Sequence, residues 1–177
     1  MKTILVPTDG SVAADKALGI ALDLARLHGA QIKLLHVLLH DKEPDELLRL
    51  PEIGANEEVV AALKATAAGP AVTRTAEEVM AAPNAPDRPA ADDVLTMIGA
   101  HVLGRAVARA RAGGVAVDAL DVADGATAAT IISAAEAEAA DTIVMGMRGL
   151  RQIEALTYGS VSQEVCRTAK CTCIAVH

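Results

Sequence analysis

The sequence contains no phenylalanine and no tryptophan, and Tyr158 is its sole aromatic residue. A chain so poor in aromatics lacks the platforms on which the bases of a single strand stack, which argues against that kind of nucleic acid binding. Positive charge is scarce as well: 16 Lys and Arg stand against 23 Asp and Glu, a formal net charge of -7. Nucleic acid partners need a positive surface that neutralises phosphates, so none is expected; a small anion held at a local site stays open. Long apolar runs are also missing. The opening MKTILVPTDG has an apolar run far shorter than a signal peptide's core, and no later segment reaches transmembrane length. A cytoplasmic protein with no membrane partner is the expectation. Cysteine is limited to Cys166, Cys171 and Cys173, an odd number in a short stretch, which is a poor disulfide framework and suits a reducing compartment. Their spacing, C-x4-C-x-C, matches no common zinc pattern, and free cysteines tend to be buried. A structural or incidental role and a metal or redox role both stay open. HExxH, CxxC, Gly-x-Ser-x-Gly and Walker P-loop elements are absent, so metal-hydrolase, thioredoxin-like and esterase chemistry has no support.

What is present is aliphatic. The composition is 52% hydrophobic and 22% charged over 177 residues, enough for a single domain, 1–177, with a core of Val, Ile, Leu and many alanines. KTILVP over 2–7 is a short apolar strand ending in a turn. Helical spacing follows over 11–28, with Ala13, Ala17, Ile20, Ala21, Leu24 and Leu27 on one face, Ser11 as N-cap and Gly29 past the end. Residues 32–39 are apolar on both faces, the mark of a buried parallel strand. The rhythm resumes with a helix over 93–112 carrying Leu95, Ile98, Val102, Ala106 and Arg109, and a strand over 115–122. A helix over 126–139, a strand over 142–145, a helix over 160–169 and a strand over 173–176 complete the chain. Five strands alternating with four helices predict an α/β fold, a doubly wound open parallel sheet.

Residues 40 to about 91 interrupt the rhythm with six prolines, Pro44, Pro51, Pro70, Pro83, Pro86 and Pro89, and scattered acidic residues. They read as a helical and irregular insertion after strand two, with helices over 56–68 and 75–82 and a linker at 83-PNAPDRP-89. A plain surface excursion and a lid or partner surface both stay open.

In open α/β sheets ligands sit beyond the carboxyl ends of the strands, where the connections change direction. After the first strand comes 7-PTDGS-11, in which Pro7 fixes the turn and Asp9 sets a carboxylate at the mouth of the crevice. After the fourth comes 146-GMRGLRQIEALTYGSVS-162, where Gly146 and Gly149 let backbone approach a ligand closely and Gly159-Ser160 opens the last helix. A helix N-terminus presents N–H groups and a positive dipole end, so a phosphate beside Gly159, Ser160 and Val161 is well accommodated, with the Ser160 and Ser162 hydroxyls as further donors.

The spacing Gly146, two residues, Gly149, nine residues, Gly159-Ser160 resembles the nucleotide motif of the universal stress protein family, ATP-binding branch. So do the strand ILV before 7-PTDGS-11, 34-LLHV-37 on strand two, and the tail 159-GSVSQEVCRTAKCTCIAV-176. The resemblance covers about residues 1–40 and 91–177; the insertion lies outside it and is longer than usual for the family. It implies sheet order 3-2-1-4-5, within the wider adenine nucleotide alpha hydrolase-like architecture. Carried over, Pro7, Thr8, Asp9 and Val37 surround adenine and ribose. Met145, Gly146, Arg148 and Gly149 line the ribose and phosphate turn, and Gly159, Ser160, Val161 and Ser162 hold the phosphates. ATP, or ADP or AMP, is the implied ligand, with Mg2+ or Mn2+ carried by the nucleotide. A homodimer through the last strand, Thr172 to Val176, is implied too. Position 148 varies in the family, so an arginine on phosphate and a solvated arginine both stay open. His36 is expected to be packed or crevice-lining rather than catalytic.

The resemblance implies a nucleotide-dependent switch or adaptor in a stress response, with little or no turnover and no catalytic residue. Phosphoryl transfer needs a positioned nucleophile and a charge clamp that the sequence does not display. The alternatives are a slow ATP-hydrolysing enzyme using Asp9 and Ser11, or a nucleotide-free partner-binding module. Related ligases carry Ser-Gly-Gly-x-Asp-Ser after strand one, where this chain has Pro-Thr-Asp-Gly-Ser.

Overall fold

The computed structural model describes residues 1–38, 60–61, 91–120, 123, 125–148 and 159–177. Apart from 60–61, which are helical, the helices expected over 56–68 and 75–82 and the linker 83–89 lie outside the described residues.

Five strands form one parallel sheet: β1 (Thr3–Pro7), β2 (Gln31–Leu35), β3 (Val117–Ala119), β4 (Thr142–Gly146) and β5 (Thr172–Val176). Their order is β3-β2-β1-β4-β5, the order the family resemblance implies. The connecting helices with described bounds are α1 (Val12–His28), α2 (Ala91–Ala112), α3 (Thr127–Ala137) and α4 (Ser160–Thr168). Side-chain alternation along the strands divides the interior in two. Ile4, Val6, Ile32, Leu34 and Val144 pack with α1 and α2, through Ala17, Leu18, Ala21, Leu103 and Ala106. Leu5, Leu35, Val37, Ile143 and Met145 pack on the opposite face with Ile131 and Ala135 of α3 and Val165 of α4. Helices on both faces are why the central strands are apolar on both sides.

The expected boundaries hold within a few residues except on the β2–β3 side. The strand expected over 32–39 ends at Leu35, and Val37 then makes an isolated parallel bridge to Ala123. The strand expected over 115–122 contracts to three residues. Val115 is not free to pair, because its N–H donates to Ala110 O in the turn that closes α2. Lys33 ties this edge together, its Nζ lying 3.0 Å from Asp118 of β3 and 3.1 Å from Glu138 beyond α3.

The buried stripe of α1 differs from the expected one. It runs through Ala14, Ala17, Leu18, Ala21, Leu22 and Ala25, while Ile20 and Leu27 are 39% and 77% exposed. Both stripes follow helical spacing, but only the observed one puts Leu18 and Leu22 into the core beside the small faces of Ala17 and Ala21. The caps are as expected. Ser11 Oγ accepts the Ala14 N–H at 3.2 Å, and Gly29 takes the left-handed conformation, φ 63°, that ends the helix.

Alanines on α1 allow the helix to approach the sheet with no aromatic spacer. Ala21 is fully buried, so Ala21→Leu forces extra methylenes into a close-packed layer. A loss of about 1–3 kcal/mol in urea denaturation is expected; an unchanged midpoint would show that the α1 layer has room to spare.

Candidate functional site

The chain winds from β1 through β2 to β3 on one side and returns to β4 and β5 on the other, which makes the β1–β4 junction the point where the connections reverse. There the strands part. β1 and β4 pair only at Ile4–Thr142 and Leu5–Ile143, although β1 pairs with β2 as far as Pro7–Leu35 and β4 with β5 as far as Gly146–Val176. By the switch-point rule this divergence, flanked by residues 7–11 and 146–148, is the candidate ligand crevice.

One contact fixes the two flanks together. A Cβ built on Gly146 would lie 2.9 Å from Ala14 N and 3.0 Å from Ala13 C, so the end of β4 sits directly against the first turn of α1. Glycine here is required by helix packing; its side-chain space is filled by α1.

The first loop satisfies its own polar groups. Asp9 Oδ1 accepts the Ser11 N–H at 3.0 Å, and Thr8 Oγ1 accepts the Gly10 N–H at 3.3 Å. Gly10 has φ 76°, a conformation that favours glycine. Thr8 is further anchored to β2: its N–H donates to Leu35 O at 2.9 Å, and its carbonyl lies 2.9 Å from His36 Nδ1. His36 is 1% exposed, so it is packed, as expected. Because a carbonyl only accepts, Nδ1 carries the proton, and the buried Nε2 keeps a lone pair with no partner.

The second loop closes on Met147. The Met147 N–H donates to Val176 O at 2.7 Å, and its carbonyl accepts the Gly159 N–H at 3.0 Å. Ser162 Oγ lies 2.7 Å from the same carbonyl and 2.9 Å from Gly159 O. The Ser162 hydrogen is therefore engaged with backbone, and its work is to seat α4 on the end of β4. Ser160 is exposed and Val161 partly buried at the start of α4, while Met145 is buried on the α3 side. Gly149 lies outside the described residues.

The two helix N-termini at the crevice differ. α1 has Ser11 as a side-chain cap and Asp15 in its first turn, whereas α4 has Gly159 at the cap, no side-chain cap and no acidic residue in its first turn. Among the described residues no side chain caps the first amides of α4, although the Gly159 N–H donates to Met147 O, and a helix start carries a positive dipole end. Arg148, partly buried, adds its guanidinium, and its Nε is buried without a hydrogen-bond partner. That placement differs from a freely solvated arginine. Val37 is buried one strand away, held by its bridge to Ala123.

A feature missed in the sequence lies behind the first loop. A cavity of about 40 Å³ between α1 and α2 is lined by Thr8, Gly10, Asp15, Arg105 and Arg109, and Arg109 Nη1 donates to Asp15 O at 3.0 Å. It is large enough for water but not for a nucleotide. The signal available was Arg109, placed on the apolar face of its helix.

The fold defines a doubly wound α/β protein whose connections reverse at the β1–β4 junction. The model of the universal stress protein family matches residues 1–177, and the chain belongs to that family. It is 32% identical over 175 residues, 99% of this chain and 98% of the relative, to the Thermus aquaticus universal stress protein in the QAH/OAS sulfhydrylase 3' region. Among solved structures it is similar to universal stress protein UspA from Lactobacillus plantarum, at TM-score 0.64 and 20% identity, covering 99% of this chain and 97% of that one. It is also similar to the Archaeoglobus fulgidus universal stress protein in complex with dAMP, at TM-score 0.55 and 20% identity, covering 100% and 98%.

Burial pushes the His36 imidazole below its ordinary pKa, against the opposing effects of the Thr8 carbonyl and Asp9. Its folded value is depressed, so its neutral form contributes stability above the unfolded value of about 6.5 that is lost as pH falls below it. The melting temperature should therefore drop between pH 7 and pH 5, by at most about 1.4 kcal/mol of stability per pH unit from this group. His36→Asn keeps an N–H donor near the Nδ1 position without titrating and should lessen that drop. An identical pH slope in the variant would remove His36 from the account.

Proposed function

We propose that this universal stress protein binds ATP, or ADP or AMP, in the crevice at the β1–β4 junction and works as a nucleotide-dependent switch or adaptor in a stress response, with little or no turnover. The observation that carries this reading is the uncapped N-terminus of α4, opened by Gly159 beside the buried guanidinium edge of Arg148. Backbone donors and a helix dipole suit phosphate, and the chain's net negative charge leaves this local concentration of positive potential distinct. Ser160, Val161 and Arg148 meet the phosphates, with Gly149 and Ser162 shaping the turn. Pro7, Thr8, Asp9 and Val37 enclose adenine and ribose, and Met145 and Gly146 form the floor. The dAMP bound by the Archaeoglobus fulgidus relative supports the adenine assignment. Mg2+ or Mn2+ arrives with the nucleotide and screens its phosphates.

Binding without rapid turnover is favoured because Asp9, the one acidic group in the first loop, accepts the Ser11 N–H. The protein acts in the cytoplasm as a homodimer through β5. Among the described residues that strand pairs only with β4, and Ile174 and Ala175 are incompletely buried; pairing two such edges removes a hazard of exposed strands. Analytical ultracentrifugation should return the dimer mass, and a monomer at all concentrations would remove this part.

The test of binding is thermal melting with Mg-ATP and analysis of small molecules released on denaturation. Ligand at a hundred times Kd adds about 2.7 kcal/mol of stability. Ser160→Asp puts a carboxylate at the start of α4, stabilising the free protein by about 0.3–1 kcal/mol while repelling phosphate, so the nucleotide-induced shift should vanish. No shift with ATP, ADP or AMP overturns the reading. A shift that survives in Ser160→Asp places the phosphates elsewhere, and rapid ATP consumption lost in Asp9→Ala makes the protein an enzyme.

A further inference from the structure

The three cysteines play no part in the crevice, yet the fold brings them to one side of the sheet. Strand alternation sends Ile174 and Val176 toward α1, while Cys171 and Cys173 pack against the opposite core, where Val165 of α4 lies. Cys166 follows Val165 on that helix. Cys173 Sγ is 3.9 Å from the carbonyl oxygen of Val165, the residue peptide-bonded to Cys166, so the backbone of Cys166 lies close to the Cys173 sulfur. All three are free thiols; Cys166 is exposed, and Cys171 and Cys173 are partly buried. One thiol open to solvent beside one that is sheltered is the arrangement of an oxidisable pair.

We propose that Cys166 and Cys173 form a reversible dithiol–disulfide site that reacts with hydroperoxides, joining the end of α4 to β5. The Cys166 thiolate attacks the peroxide O–O bond. An S–O bond forms, the O–O bond breaks, and the leaving oxygen takes up a proton as water or alcohol. Sulfur is oxidised to a sulfenic acid and the peroxide is reduced. Cys173, having given up its proton, then attacks the Cys166 sulfur. The S–S bond forms, the S–O bond breaks, and hydroxide leaves with that proton as a second water. Two thiols and one hydroperoxide yield one disulfide, one alcohol or water, and one water; a dithiol reductant reverses the change. The order follows from exposure: Cys166 meets the oxidant, and the sheltered Cys173 resolves it. Transient disulfides of this kind belong to redox-responsive proteins of reducing compartments. The site stands independently of the nucleotide reading, and its test uses no nucleotide.

The experiment treats the folded full-length protein with hydrogen peroxide, counts thiols after denaturation, and maps disulfide-linked tryptic peptides. Arg167 and Lys170 separate Cys166 from the other two, so the cross-link appears as a joined pair of peptides. Titratable thiols should fall from three to one and return to three with dithiothreitol. Cys171→Ser should retain the cross-link; Cys173→Ser and Cys173→Ala should each lose it. A cross-link that persists without Cys173, one formed only between two chains, or Cys166 oxidised to sulfinic acid with no cross-link would each overturn the proposal.

Discussion

The contact between Gly146 and the first turn of α1 governs the geometry of the candidate site. Any side chain at position 146 would enter backbone atoms of Ala13 and Ala14, so the end of β4 meets α1 at backbone distance. That contact draws the loop after β4 alongside the loop after β1, even though the strands stop pairing at Leu5–Ile143. The sheet thus opens at its carboxyl end while the helix bridges the opening from one face. The all-aliphatic interior serves the same end. With Ala14, Ala17, Ala21 and Ala25 facing inward, α1 can lie close to the strands, and closeness is what the Gly146 contact needs.

The unequal helix starts follow from how each loop spends its polar atoms. Residues 8–11 turn back on themselves: Thr8, Asp9 and Ser11 each accept a backbone N–H from nearby in the same loop or helix. α1 begins as a finished structural element. Residues 147 and 159–162 direct their bonding toward closing a loop, with the Met147 carbonyl taking both the Gly159 N–H and the Ser162 hydroxyl. No side chain among the described residues caps the first amides of α4. A helix start that lacks a side-chain cap sacrifices local stability, and its position at the switch point is where such donors are useful to a ligand.

Much of this was legible in the sequence because it rests on local rules. Apolar runs of strand length, Ser11 and Gly29 as caps, and glycines after strand four located the elements and the two flanking loops. The face of α1 was misread because two alanine-rich stripes share helical spacing. Only the three-dimensional partner strands select Leu18 and Leu22 over Ile20 and Leu27. Strand three was overextended because Val115 looks like strand by composition, whereas its N–H is taken by the end of α2. The packing of Gly146 against α1 is a contact between positions far apart in the chain that no spacing rule reveals. The His36–Thr8 bond was hidden for the same reason.

That bond also fixes the loop after β1. The Thr8 carbonyl is fixed by His36 Nδ1 and its N–H by Leu35 O, so the loop after β1 is anchored to β2 before any ligand arrives. The buried Nε2 of His36 has no hydrogen-bond partner and so does not connect the imidazole to a proton path. Asp9 accepts from the Ser11 amide, and the Ser162 hydroxyl from its position bonds main-chain carbonyls. The groups that would serve as base or nucleophile thus stabilise the loops, and the donors left over are main-chain amides and a guanidinium. Donors held in place bind an anion with little loss of conformational freedom. Under the proposed binding reading, main-chain amides and a guanidinium meet the charge of an anion without themselves removing a proton or attacking phosphorus.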